Sequence, residues 1–229
     1  MSTEPTSLDA PAGVRGSRIA LAGLLFAGLF LVAWLLLRSS PDFDATEQEL
    51  RAYYEDPDQR QASIVAALYV VPLAAIAFIW FMAALRDRYV RSSGREHTIL
   101  STAHVVAGTL VVVSLFLLAT VELSVGWLAG TSDTLDVGGA RSLLALGQAA
   151  SDIMTLRAAA VFVAISTSRG VRSGLFPRAF GVLSVLVALT LLLDYTSVQW
   201  VGLLFPAWVA ASSILILIRR RAVGVAGDA

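Results

Sequence analysis

Residues 19–37 read IALAGLLFAGLFLVAWLLL, nineteen positions without an acidic or basic side chain. A hydrocarbon core about 30 Å thick is crossed by about 20 apolar residues in helical form, because each adds a rise of about 1.5 Å. The run exceeds the apolar core of a cleavable signal, and no small-residue A-x-A site follows it, so it reads as a retained helix. Its continuous apolarity also separates it from a barrel strand, whose hydrophobicity alternates over about ten residues.

The same criterion selects 63–85, 99–120 and 198–218, each free of Asp, Glu and Arg. The run 143–165 is long enough but carries Asp152 and Arg157, and 177–193 is short. In that last run Pro177 suits a first helical position and Arg178 can snorkel. Six spans are therefore expected, an all-α integral membrane bundle over 19–221, with disordered tails at 1–18 and 222–229. Composition agrees: 57% of the 229 residues are apolar and 15% charged, against about 25% charged in soluble domains. A small water-soluble globule keeps too much surface exposed to hide that much apolar side chain.

All 17 basic residues are Arg, and their placement orients the chain, because basic residues near span ends stay on the cytoplasmic side. Arg15, Arg18, Arg86, Arg88, Arg91, Arg95, Arg169, Arg172, Arg178, Arg219, Arg220 and Arg221 fall on one side; Arg38, Arg51, Arg60 and Arg141 fall on the other among many carboxylates. Twelve against four puts both termini in the cytoplasm, which an even number of spans also requires. Trp34, Trp127, Tyr195 and Trp200 then lie near outer ends and Trp80 and Tyr89 near inner ends, as interfacial anchors do. Trp208 lies within a span and reads as packing. The localisation expected is a bacterial cytoplasmic membrane, with the lipid bilayer as the first partner.

Several functions are excluded. Equal counts of acid and base argue against nucleic acid, whose affinity comes from neutralised phosphates. The absence of Lys excludes a Schiff base and the lysine-containing phosphate loop. The absence of Cys excludes disulfides, thiolate catalysis and iron–sulfur clusters. With His104 the one histidine in any span, neither a bis-histidine haem nor a three-histidine metal site can form. No cofactor is expected, and no G-x-S-x-G elbow, H-E-x-x-H or Gly-rich phosphate loop occurs.

The largest outer loop, 39–61, contains Thr46-Glu47-Gln48-Glu49 in capping-box form, followed by Leu50, Tyr53 and Tyr54 at helical spacing. This predicts a short amphipathic helix on the outer membrane surface. The start Asp42-Phe43-Asp44 resembles a calcium loop, but Glu47 occupies the sixth position and Tyr53 the twelfth, which rejects the motif.

The fourth span holds the chemistry. Gln148, Ser151, Asp152 and Thr155 recur at i, i+3, i+4 and i+7, a polar stripe that Ser166 extends. Arg157 lies nine residues from Gln148, about 180° around the helix, so Asp152 and Arg157 need different partners. Charge near a bilayer centre costs roughly 2.5 to 3.5 kcal/mol, so this helix is expected at the bundle centre. By depth, Arg157 pairs with the Leu68 carbonyl freed by Pro72 or with the Tyr69 hydroxyl, forming an interhelical clamp. On the third span Ser101, His104, Gly108, Ala119 and Glu122 share one face; a packing role suits His104, and Glu122 reaches water.

The stretch Ser173-Gly174-Leu175-Phe176-Pro177-Arg178-Ala179-Phe180-Gly181, with Leu203-Leu204-Phe205-Pro206-Ala207-Trp208 before a last span ending in Arg219-Arg220-Arg221, resembles multi-pass membrane proteins of unknown function common in actinobacteria. The acidic first outer loop and Phe78-Ile79-Trp80-Phe81 are similar too. The resemblance implies a six-helix topology and brings no activity with it. Two function classes follow. One is a small permease or ligand-sensing membrane protein, with a polar cavity between helices three and four lined by His104, Gln148, Ser151, Asp152 and Thr155. The other is a noncatalytic membrane scaffold or subunit, assembled with another membrane protein or a second copy, in which those residues only join helices. An enzyme ranks third, for want of a catalytic set.

Overall fold

A computed structural model describes residues 12–93, 98–131, 135–194 and 200–227. They form α1 (Ala12–Leu37), α2 (Glu47–Glu55), α3 (Pro57–Val65), α4 (Val71–Ser93), α5 (Thr98–Thr131), α6 (Val137–Ala150), α7 (Arg157–Arg172), α8 (Arg178–Leu193) and α9 (Leu204–Gly227). Among the described residues there is no strand. A π turn over Ala66–Val70 joins α3 to α4, and another over Ser151–Leu156 joins α6 to α7, each pair making one continuous rod. Helix covers part of both predicted tails; residues 1–11 and 228–229, and the predicted anchor Tyr195, lie outside the described residues.

Five rods are long and apolar enough to cross a membrane: Ile19–Leu37, Pro57–Val90, Ile99–Thr131, Val137–Arg172 and Val201–Arg219. The sixth predicted span corresponds to α8, apolar but only 16 residues long, about 24 Å at helical rise. In contrast, the 34 residues of Pro57–Val90 reach about 51 Å, well beyond a hydrocarbon core.

Neighbouring helices close a ring. α1 packs on α4 and α9, α4 on α5, α5 on α7, α7 on α8, and α8 on α9. Its interior is filled by rings: Phe78 lies 5.0 Å from Phe26, 5.1 Å from Phe162 and 5.4 Å from Phe205, centroid to centroid. Such tilted and edge contacts are worth about 0.5 to 1.5 kcal/mol each beyond the area they cover. Packing of this kind holds helices together where lipid offers no hydrophobic driving force between them. Gly23 lets three helices meet: a Cβ there would fall 2.1 Å from Ser213 Oγ on α9 and 2.8 Å from Phe81 on α4.

The fourth span is not central, contrary to the expectation from its charges. The α6–α7 rod is one stave of the ring, with Ile153 70% exposed and Leu146 and Val161 exposed as well. The most enclosed of the five rods is α5. Trp208 is buried as expected, its Nε1 donating to Ser184 Oγ at 2.8 Å. Tyr89, predicted to anchor at an interface, is instead buried, its hydroxyl donating to the Ser166 carbonyl at 2.8 Å.

One end of the ring carries a cap made of α2 and α3. The predicted capping box forms: Glu49 N–H donates to Thr46 Oγ1 at 3.3 Å and Thr46 N–H to Glu49 Oε2 at 2.8 Å. Asp56 then caps α3, accepting from Asp58 N–H at 2.9 Å and Gln59 N–H at 3.4 Å, with Pro57 at the first helical position. The amphipathic face of α2 does not lie on a membrane surface. Leu50, Tyr53 and Tyr54 are buried against Val125 of α5, Ala140 and Leu144 of α6, and Leu135 just before α6. Arg141 Nη2 straps α6 to the loop by donating to the Ala45 carbonyl at 2.8 Å.

Candidate functional site

At the same end of the ring as this cap lies a cavity of about 270 Å³. The end of α1 supplies Trp34 and Leu37; the following loop, Arg38, Ser40, Pro41, Asp42 and Phe43; α5, Leu118, Val121 and Glu122. The α6–α7 rod contributes Leu144, Gly147, Gln148, Ser151, Asp152 and Leu156, and Asp194 and Gly202 close the wall. Trp34 is backed by Trp200, with ring centroids 4.8 Å apart.

Three of the five residues predicted to form a cavity, Gln148, Ser151 and Asp152, do line it. Gln148 Nε2 donates to both carboxylate oxygens of Asp152, at 3.1 and 3.2 Å, one helical turn apart as their spacing predicts. Glu122, predicted to reach water, faces the same space. Ser40 Oγ donates to its carboxylate at 3.4 and 3.5 Å and lies 3.4 Å from Tyr54 Oη. Burial, and then the Glu122 charge, push the Tyr54 hydroxyl well above its ordinary range, so it remains protonated. Asp42 is likewise raised, by burial and then by Asp44.

The other two predicted cavity residues lie elsewhere. Thr155 is not on the cavity wall, and its buried Oγ1 has no hydrogen-bond partner. His104 sits near the far end of the ring, fully buried, its Nδ1 3.2 Å from Ser166 Oγ and its ring 4.5 Å from that of Phe162. The shared face of α5 is no polar path: Val111, Leu115 and Ala119, all buried, separate His104 from Glu122. The far-end cluster is completed by the Arg169 guanidinium, 4.8 Å above the Tyr89 ring, and by Arg86 Nε donating to Ser101 Oγ at 2.9 Å.

The predicted Arg157 clamp is also corrected. Arg157 does not reach Leu68 or Tyr69, and Tyr69 is 59% exposed. Its guanidinium donates to the Asp152 carbonyl, and through Nη2 to the Asp194 carbonyl at 2.9 Å. The reason is the π turn over Ser151–Leu156. In an i→i+5 register, residue 157 returns close above residue 152, whereas an unbroken α-helix turns it well away. The Asp152 carbonyl accepts from the Arg157 side chain, and the Arg157 N–H bonds the Met154 carbonyl. Pro72 has its own solution, a π turn immediately before it in which Val71 N–H reaches back to the Ala66 carbonyl. The longer register gives the proline ring room against the preceding turn.

Sequence reasoning missed Trp34, Arg38, Ser40 and Asp194 as neighbours of Asp152. The available signal was the concentration of carboxylates at one end of every span. Among the described residues no group of three or more His, Cys, Asp or Glu is gathered as a metal site. The chain matches no protein-family model, no curated protein and no solved structure.

Proposed function

We propose that this is a six-span protein of a bacterial cytoplasmic membrane with both termini inside, working as a small permease or ligand-sensing membrane protein through an outward-facing cavity. Arg asymmetry supports the orientation, and the apolar α8 supplies the sixth crossing by locally thinning the bilayer, with Arg178 snorkelling at its end. The observation that carries the function is the 270 Å³ cavity bordered by Gln148, Ser151 and Asp152 on the third and fourth spans' cap end. Ionisable residues within membrane spans that face a cavity rather than lipid mark solute or ion sites, and a break in a helix beside such a residue is common where substrates bind.

The noncatalytic scaffold reading draws on a different observation, the dry and closely packed cluster around His104 at the far end. Labelling separates the two. The chain has no Cys, so Ser151→Cys introduces a unique thiol on the cavity wall. A membrane-impermeant maleimide added to intact cells is expected to label it, and to leave Thr155→Cys unlabelled. A Ser151→Cys thiol that reacts only after the membrane is permeabilised overturns the outward cavity; one that never reacts favours the scaffold.

A further inference from the structure

The end of the ring away from the cap gathers charge of one sign. Residues 153–193 and 195–227 contain no Asp or Glu, so α7, α8 and α9 carry arginines with no carboxylate of their own. Arg172 ends α7 and Arg178 begins α8; the guanidinium of Arg219, from α9, donates to the Gly174 carbonyl in the loop between them. All three arginines are exposed, and a neutral carbonyl leaves the charge of Arg219 in place. Among the described residues the carboxylate of this end is Asp87, on α4, which packs on α1 and α5. The loop itself is firmly built. Ser173 N–H donates to the Arg169 carbonyl and Phe176 N–H to the Gly170 carbonyl, both at 2.9 Å. Gly174 turns the chain at φ +70°, which glycine adopts without a steric cost, and the Phe176 ring fills the space where a Cβ on Gly170 would fall. Arg172 and Arg178 therefore project from a fixed backbone, and a ligand has only their side chains to order.

What borders this corner decides which kind of anion suits it. Val182 and Leu186 of α8 and Ile214 and Ile218 of α9 are 45 to 65% exposed. Val182 lies one helical turn from Arg178 and Ile218 directly precedes Arg219, so guanidinium and apolar surface adjoin on both helices. The 16 residues of α8 reach about 24 Å, short of a hydrocarbon core about 30 Å thick, and a bilayer thinned around them brings its phosphates to the level of Arg178. The fitting partner is anionic at one end and apolar along the rest. Guanidinium forks match phosphate oxygens two at a time, and basic pockets at the ends of membrane spans hold phospholipid headgroups.

We infer that the corner made by Arg172, Arg178 and Arg219 holds an anionic phospholipid, its phosphate against the guanidinium groups and its chains along the exposed faces of α8 and α9. This rests on α8 lying in the bilayer and not on the cavity, so either can fail without the other. Native mass spectrometry of the full chain, released from neutral detergent and titrated with phosphatidylglycerol or with phosphatidylcholine of the same acyl chains, measures it. Phosphatidylglycerol is expected to fill a first site at least fivefold more tightly than phosphatidylcholine. The double variant Arg172→Gln/Arg178→Gln is expected to bring the two lipids within twofold of each other while keeping the parent's helical circular dichroism. The pair Arg51→Gln/Arg88→Gln, which removes the same charge elsewhere, is expected to leave the preference intact. Should the first double variant lose its helical signal, Arg178→Gln alone decides, with a loss of at least threefold. Equal binding of the two lipids by the parent, an undiminished preference in the folded corner variant, or an equal loss in the Arg51 and Arg88 pair overturns the inference. Millimolar ammonium phosphate, replacing acetate at equal ionic strength, is expected to leave the lipid bound; displacement by it marks a site for free phosphate and overturns the lipid assignment.

Discussion

At the cap end of the ring, Gln148, Ser151, Asp152 and Glu122 stand around a cavity; at the far end, His104, Ser166 and Tyr89 are packed until none is accessible beyond 1%. Both groups are polar residues on spans, and nothing in their chemistry alone separates a site from a helix joint. What differs is the opposing surface. Phe162 and Tyr89 lie against His104 with ring centroids 4.5 and 6.2 Å away and leave no room for solvent. Asp152 sits in a π turn, opposite an irregular loop from Ser40 to Phe43, where side chains cannot interdigitate as they do between two regular helices.

That contrast can be broken most directly at Arg157. Arg157→Ala leaves two buried or half-buried carbonyls without their guanidinium, each worth about 1 to 3 kcal/mol when unsatisfied, so a loss on the order of 3 kcal/mol is expected. Thermal unfolding of the detergent-solubilised protein, followed by circular dichroism, measures it. Tyr69→Phe is expected to stay within about 0.5 kcal/mol of the parent, as exposed substitutions do; equal losses would put the clamp back beside Pro72.

Tyr89→Phe probes the dry end. Removing the 2.8 Å bond to the Ser166 carbonyl is expected to cost about 1 to 1.5 kcal/mol by the same unfolding assay. Maleimide labelling of Ser151→Cys in that background is expected to be unchanged, because the two clusters are separated along α5 by buried apolar residues. Altered labelling would join the ends into one network.

Thr46→Ala removes half of the capping box and is expected to cost about 1 kcal/mol, concentrated in α2. Hydrogen exchange of the Leu50 to Tyr54 amides reports it, and faster labelling at Ser151→Cys would show that the cap governs access to the cavity. The smallest effect is acid sensitivity of the same cap. Bonds from the Thr46 hydroxyl and then its backbone lower Glu49 below its ordinary 4.5; the Gln59 side chain, then the Asp58 and Gln59 amides, lower Asp56 below its ordinary 3.8. A carboxyl depressed in the folded state contributes stability above its unfolded value and loses it as pH falls through the folded one. Exchange protection of α2 and α3 is therefore expected to hold from neutral pH down to the ordinary carboxylate range and to fail below it, before the ring melts.

The legible parts of this fold were those whose physics is local. Thr46-x-x-Glu49 announces a helix start because a cap needs only residues within one turn of each other, and it forms; the start of α3 at Asp56-Pro57 obeys the same local rule but was passed over within the loop. The pairing of Gln148 with Asp152 follows from helical spacing alone. The partner of Arg157 was not legible, because a count at 100° per residue assumes an unbroken α-helix and two π turns change that count. Nor was the second face of α2, since an amphipathic stripe reads the same whether it meets lipid or the ends of α5 and α6.

Primary structure was enough to settle the all-helical, membrane-suited character of the chain, because about 20 consecutive apolar residues have one cheap way to satisfy their backbone, and that is helix. It was also enough to single out Asp152, since an ionisable group in such a run must find polar company. Which company it finds, and that Glu122, Ser40 and Trp34 converge with it around a void while His104 does not, was decided only in three dimensions. Contacts across a ring depend on how helices rotate and break against one another, and the shift of register at residues 151–156 carries no signature in composition or period.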